Sequence, residues 1–186
     1  GSFLSDLSKS KDLSGNALTS LSVAGIFGDY EKYALRSIVA ANNRIADFDI
    51  VSPTSIRHLD LSHNCLAGMS LKDYDYAEYL DISYNKFTDE ASLVYFGNAR
   101  HIDISHNGFT SVSTADMPYI ETLDMRSNNL TLATLPYLPE IAADVYLYAP
   151  QQPLEIVEKA PAVNISEQNR VIDGVGTTFT WMREDG

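Results

Sequence analysis

The chain has 186 residues, 45 % hydrophobic and 20 % charged, with a formal net charge of −12. That is enough apolar material for a packed domain and too little charge for disorder. Its sign argues against nucleic acid backbones and anionic lipid surfaces and favours a basic or cation-bearing partner. A lone cysteine, Cys65, rules out an internal disulfide and a thiolate metal cluster. No stretch approaches the roughly 18 apolar residues that a membrane-spanning helix needs.

Residues 1–34 open the chain with Gly1-Ser2, which reads as an expression remnant standing where a native leader was removed. Leu18, Leu21 and Val23 fit the strand part of a degenerate first repeat, and 1–34 as a whole is expected to cap the N-terminal end. Residues 35–149 then repeat. Asn43, Asn64, Asn85, Asn107 and Asn128 lie 21, 21, 22 and 21 residues apart. Each sits in the same apolar frame: Leu35, Ile38, Ala40 and Ile45; Ile56, Leu59, Leu61 and Leu66; Ala77, Leu80, Ile82 and Phe87; Ala99, Ile102, Ile104 and Phe109; Ile120, Leu123, Met125 and Leu130.

The second and third apolar residues of each frame are two apart, so they share one face of a short strand. A sharp turn follows, and a buried asparagine there can satisfy backbone groups that the turn leaves unpaired. Stacked turns would line these residues up as an asparagine ladder. No repeat buries its own apolar face, so neighbours must do it for one another and the ends need caps. The frame predicts an α/β solenoid, a horseshoe with a parallel sheet on its concave side, an irregular convex side and a β-rich C-terminal cap. Between strands, Lys72–Glu78 is expected to form a short helical turn, and Leu130–Ile141, with Pro136 and Pro139, an extended segment. Past the array, Ala142, Val145 and Leu147 still fit the frame, but Pro150 stands where the next asparagine should be. Residues 150–186 are therefore assigned to a cap or to the start of a following domain.

The segments His58-Leu59-Asp60-Leu61-Ser62-His63-Asn64 and Tyr79-Leu80-Asp81-Ile82-Ser83-Tyr84-Asn85 resemble the leucine-rich-repeat superfamily. The tail, Tyr146-Leu147-Tyr148-Ala149-Pro150-Gln151-Gln152 and then Thr177-Thr178-Phe179-Thr180-Trp181, resembles the ends of repeat arrays in Bacteroidetes surface proteins. There, as in the internalins, an array leads into an Ig-like segment. This resemblance implies an extracytoplasmic bacterial protein, on the cell surface or secreted, that binds a protein partner in adhesion or host interaction. Ala40 departs from the pattern by its small size. An Ig domain needs about seven strands, and the residues after Pro161 supply fewer. Leu135-Pro136-Tyr137-Leu138-Pro139-Glu140-Ile141 is similar to the Leu-Pro repeats of secreted effectors, some of which carry ubiquitin-ligase domains. It occurs once, a ligase needs a separate catalytic domain, and Cys65 inside a repeat reads as an inward structural residue.

Strand alternation names the outward positions on the concave face. One column is Ser37, His58, Tyr79, His101, Thr122 and Asp144; the next is Val39, Asp60, Asp81, Asp103, Asp124 and Tyr146. A third holds Ala41, Ser62, Ser83, Ser105, Arg126 and Tyr148, and Asn42, His63, Tyr84, His106 and Ser127 follow at the strand ends. The aspartates, about 4.8 Å apart along the stack, read either as the solvated Asp-x-Ser common in such repeats or as an acidic stripe for a basic ligand. Calcium would need an acidic loop to complete its shell. The histidines flank Tyr79 and Tyr84 and form an aromatic and imidazole contact patch. Zinc is disfavoured because the histidine rows stand about 9.6 Å apart. Neither a metal nor a cofactor is expected. Ser62 and Ser105 lie on an open sheet with nothing to exclude water, so catalysis is not expected either. Nearby carboxylates are expected to favour protonated histidines. Asn129-Leu130-Thr131 and Asn164-Ile165-Ser166 match the glycosylation pattern, read as accidental. The leading function is a binding module; a structural spacer presenting another domain is the alternative, and an enzyme a distant third.

Overall fold

The computed structural model describes residues 10–23, 35–51, 53–114, 116–136, 146–152, 171–172 and 175–176. Its strands in chain order are β1 (Lys11–Asp12), β2 (Ser20–Val23), β3 (Ser37–Val39), β4 (Asp47–Ile50), β5 (His58–Asp60), β6 (Tyr79–Asp81) and β7 (Glu90–Leu93). They continue with β8 (His101–Asp103), β9 (Ser111–Thr114), β10 (Thr122–Asp124), β11 (Tyr146–Leu147), β12 (Val171–Ile172) and β13 (Val175–Gly176). Seven of them form one parallel sheet in the order β1-β3-β5-β6-β8-β10-β11. The chain therefore advances one strand per turn as a β-solenoid of about five turns between β3 and β10, with β1 and β11 at the edges of the sheet.

The 21–22-residue frame places the core correctly. Ile38, Leu59, Leu80, Ile102 and Leu123 form one buried column, and Ala40, Leu61, Ile82, Ile104 and Met125 a second. Ile45, Leu66, Phe87, Phe109 and Leu130 form a third behind the turn, where the rings of Phe87 and Phe109 stack at 5.3 Å. Each fully buried leucine or isoleucine contributes about 1.5–3 kcal/mol relative to exposure, and every column is shared between turns.

The far side differs from the expectation. It carries no α-helix among the described residues; the only helical element there is a 3-10 turn at Pro53–Ser55. Its regular parts are two parallel strand pairs, β2 with β4 and β7 with β9. Lys72–Glu78 makes tight turns instead of a helical one, with Asp73 at φ 65°. Tyr74 in this segment is fully buried and stacks on Phe96 at 5.6 Å. Leu21 and Val23 belong to the β2–β4 pair; the strand that joins the main sheet before Ser37–Val39 is Lys11–Asp12. Leu132 to Thr134 form a turn rather than part of an extended run, and Pro139 lies outside the described residues. Cys65 is half-buried rather than fully inward. In the tail, β12 and β13 pair antiparallel, while Ala142, Asp144, Val145, Asn164–Ser166 and Thr177–Trp181 lie outside the described residues.

The asparagine ladder is present and ties each turn to the one before it. Asn64 Nδ2 donates to the carbonyls of Leu61 (3.0 Å) and Ser62 (3.1 Å) in its own turn and of Ala40 (2.9 Å) in the preceding one; its Oδ1 accepts from Ile45 N (2.9 Å). Asn43, Asn85, Asn107 and Asn128 repeat this pattern. Two rungs lie outside the asparagine spacing. Asn16 donates to Leu13 and Ser14 carbonyls in the first turn. Gln151 takes the last place: its Oε1 accepts from Leu130 N and Asn128 N at 3.2 Å, and its Nε2 donates to Met125 O and Tyr148 O. With one more methylene than asparagine, glutamine reaches the same groups from the residue after Pro150. Every strand of the main sheet thus has its rung.

Asn128 is fully buried, whereas Asn43 is half-buried. Replacing Asn128 by alanine strands several buried backbone groups, so a loss of about 3 kcal/mol or more is expected in urea unfolding. Asn43→Ala, where water can substitute, should cost distinctly less. Equal losses would mean that the asparagines do not hold the turns through these bonds.

Candidate functional site

The register of the main sheet puts the outward side chains in straight columns. Ser37, His58, Tyr79, His101 and Thr122 pair directly along the stack, as do Val39, Asp60, Asp81, Asp103 and Asp124. Each of β3, β5, β6 and β8 buries its middle residue and leaves the two outer ones half-exposed.

Beyond the strands, hydrogen bonding continues from Asn42 N to Ser62 O, His63 N to Ser83 O, Tyr84 N to Ser105 O and His106 N to Arg126 O. Those donors all stand in the left-handed region, Asn42 at φ 56° and His63, Tyr84 and His106 at 53°, and Ser127 follows at 56°. Gly15, at φ 68°, holds the equivalent place before Asn16. This conformation aims the following asparagine inward. Glycine or asparagine adopts it readily; other L-residues incur roughly 1–2 kcal/mol. A tyrosine there is strained, and a second consequence offsets the strain. The rings of His63, Tyr84 and His106 stack face to face, with centroids 4.1 and 4.0 Å apart and interplanar angles of 10° and 12°. In the other column His58 and Tyr79 stack at 4.2 Å, but His101 is tilted by 52° at 6.1 Å. His101 Nε2 lies 3.4 Å from Glu121 Oε2, and its Nδ1 is 3.4 Å from Thr122 Oγ1, which draws the ring off the stack.

The aspartates between the ring columns do local work first. Asp60 Oδ1 accepts from Ser62 N (3.0 Å) and Oγ (2.8 Å), and Asp81 Oδ1 from Ser83 N (2.9 Å) and Oγ (2.7 Å). Asp103 Oδ1 accepts from Ser105 N (2.8 Å) and Asp124 Oδ1 from Arg126 N (3.0 Å). Ser62, Ser83 and Ser105 are buried and held in these turns. Arg126 folds back on the nearly buried Asp124, with Nε 3.0 Å from both carboxylate oxygens and Nη2 2.5 Å from Oδ2. It closes one end of the acidic column instead of standing as an independent contact. Burial raises the carboxyl pKa values of Asp81 and Asp103; the serine hydrogen bonds oppose this and the neighbouring aspartates reinforce it. Tyr79 is pushed up to about 12, by burial first and then by Asp81, Asp60 and Asp103.

Three expectations need correction: the protonation of His58, the outward placement of Tyr146 and Tyr148, and the outward placement of Ala41, Ser62, Ser83 and Ser105, all four of which are buried. The pKa of His58 is lowered, because burial outweighs the attraction of Asp60, so the carboxylates do not favour its protonated form. Tyr146 pairs with Leu123 and Leu147 with Asp124, one residue out of the expected frame. Tyr146 consequently packs on the core and donates to Pro136 O at 2.6 Å, and Tyr148 lies on its same side with ring centroids 5.7 Å apart; Tyr146 does not continue the aspartate column, nor Tyr148 the column of Ser105 and Arg126. Among the described residues, no three His, Cys, Asp or Glu side chains converge as a metal site would require. No helix among them is long and apolar enough to cross a membrane. One group escaped the sequence reading: Arg57, Tyr76, Glu78, Asn98, Arg100 and Tyr119, on the flank just before the strands, line a cleft. The signal was available, since Tyr76, Asn98 and Tyr119 are 22 and 21 residues apart.

Raised carboxyl pKa values mean that the folded protein holds these protons more tightly than the unfolded chain. The corresponding stability is present below the ordinary carboxyl range and is lost as pH rises through the raised values. Asp81→Asn with Asp103→Asn keeps an Oδ1 acceptor for each serine and removes the charge. The double variant should be about 1 kcal/mol more stable at pH 7, with no gain near pH 3. A melting temperature lowered at pH 7 would show that the charges stabilise the fold.

Residues 52–68 and 78–91, which carry β5 and β6, match the Leucine Rich repeat family model. No curated protein and no solved structure matches the chain. Such repeats generally mediate protein–protein interaction and are generally without catalytic activity. In those two repeats, which lie within the parallel sheet and its turn-to-turn ladder, the chain is similar to leucine-rich-repeat proteins.

Proposed function

We propose that the chain is the binding module of an extracytoplasmic bacterial protein, cell-surface or secreted, that works in adhesion or host interaction. Its partner is a protein with a basic contact region, and it docks on the outward face of the main sheet. One observation carries this reading: the same face concentrates two features that lower stability. Tyr84, flanked by His63 and His106, occupies a backbone conformation that asparagine would adopt with less strain. Beside it, Asp81 and Asp103 carry charges that burial disfavours. Strain and buried charge collected on one exposed surface are expected where function maintains them.

The chemistry of the face fits such a partner. Pre-stacked rings supply rigid contact area at low entropy cost, and Tyr84 is 45 % exposed. Asp60, Asp81 and Asp103 supply selectivity for cationic side chains, more through association rate and discrimination than through affinity. The cation placed on the column, Arg126, is already paired with Asp124. The bacterial surface location and the Ig-like continuation rest on the sequence resemblance of the tail.

The test separates binding from folding. Tyr84→Asn relieves the left-handed strain, so stability should stay within about 1 kcal/mol of the parent. The Tyr79→Ala, Tyr84→Asn double variant should lose at least about tenfold in affinity, or about 1.4 kcal/mol, for proteins that the immobilised parent retains from host extracellular fluid. Equal retention by parent and variant would move the binding surface off this face.

A further inference from the structure

The cleft on the flank of the sheet is chemically unlike the outward face. It has a volume of about 370 Å³ and is lined by Arg57, Tyr76, Glu78, Asn98, Arg100 and Tyr119, at the small end of the ~300–1,000 Å³ usual for ligand sites. Its walls are Tyr76 and Tyr119, each 55 % exposed. Tyr76, Asn98 and Tyr119 occupy the same place in successive turns, so the two tyrosines stand roughly 10 Å apart with Asn98 between them. Arg57 comes from the turn before Tyr76 and lies over its ring, with Cζ 4.6 Å from the centroid. The ring face on the Asn98 side is thereby left to the cleft.

The polar groups are held in place yet incompletely used. The backbone fixes their row: Arg57 O accepts from Glu78 N at 2.8 Å and Glu78 O from Arg100 N at 2.8 Å. Asn98 Nδ2 donates to Asp75 O at 2.6 Å, which orients the amide and leaves its carbonyl oxygen to accept. Arg100 Nη1 sits 2.6 Å from Glu121 Oε1, so one edge of a planar guanidinium is anchored. Among the described residues, the Glu78 carboxylate has no ion-pair partner. Counting Glu121, two arginines face two glutamates, so the cleft favours neither a cation nor an anion.

We infer that this cleft is a saccharide-binding site. A pyranose presents an apolar face of C–H groups that packs on an aromatic ring, and its rim carries hydroxyls that both donate and accept. The cleft offers the complement: two tyrosine rings for the C–H face, and planar carboxylate, amide and guanidinium groups for paired hydroxyls. A charged side chain would gain from one of these groups and be repelled by its neighbour. The assignment is independent of the sheet face, since none of the six lining residues belongs to the stacked columns.

Saturation-transfer NMR on the full chain tests it, with the methyl glycosides of glucose, galactose, mannose and N-acetylglucosamine as neutral probes and N-acetylarginine amide as a cationic one. At least one glycoside should show transfer, strongest at the C–H protons of one ring face. Tyr119→Ala and Tyr76→Ala, which remove exposed rings and leave the core intact, should each weaken it by about fivefold or more, the loss expected of an aromatic anchor. Asn98→Gln should also weaken it, while Tyr84→Asn on the sheet face should leave it unchanged. Absence of transfer from every glycoside, transfer only from the cationic probe, or transfer indifferent to both tyrosine variants would overturn the assignment.

Discussion

One asparagine per turn holds this molecule together. Each Nδ2 joins two carbonyls of its own turn to one of the turn before, and each Oδ1 takes an amide from that earlier turn. A short strand cannot by itself fix the angle at which the chain leaves the sheet; the buried amide does, by satisfying the groups that the bend leaves unpaired. The remaining order follows from it. The bend needs a left-handed residue immediately before the rung, so Asn42, His63, Tyr84, His106 and Ser127 share one conformation and one direction. Rings placed at three consecutive positions of that kind, repeated at the strand spacing, have little choice but to stack.

The same constraint explains how the acidic column tolerates itself. Aspartates one strand apart repel by roughly 1 kcal/mol even in water. Yet Asp60, Asp81 and Asp103 each accept from an amide two residues on, and Arg126 neutralises Asp124 at the end of the series. Local hydrogen bonding offsets part of the repulsion. What remains is expressed in the raised pKa values of Asp81 and Asp103, where burial is the largest contribution.

The repeat frame makes the core, the ring columns and the aspartate column legible in the sequence, but not the column of Ala41, Ser62, Ser83 and Ser105, which the frame turns outward and the turn hydrogen bonds bury. A period of 21–22 with two apolar residues two apart leaves one register in which all five frames bury together, and Leu59, Leu80, Ile102 and Leu123 obey it. The ends were less legible because their rungs change identity or spacing. Asn16 lies 27 residues before Asn43, and Gln151 replaces asparagine with a longer side chain, so a pattern of asparagines at fixed intervals passes over both. A frame without Gln151 as its marker points Tyr146 outward, and the observed register turns it onto the core. The far side was misread for another reason: aromatic and acidic residues around Tyr74 suit a helical turn locally, but the solenoid needs the ring inside against Phe96. Strand alternation says nothing of the flank cleft, because Tyr76, Asn98 and Tyr119 sit in the turns before the strands.

The turn geometry presents His63, Tyr84 and His106 as a preformed stack, without any partner to order it. Proton NMR of the histidine rings in the free protein addresses this most directly. Imidazole protons held about 4 Å over a tyrosine ring experience its ring current. A preformed stack displaces the His63 and His106 signals upfield in the parent and lets them return toward free-imidazole positions in Tyr84→Ala. Undisplaced signals in the parent, or displaced ones that Tyr84→Ala leaves in place, would contradict it.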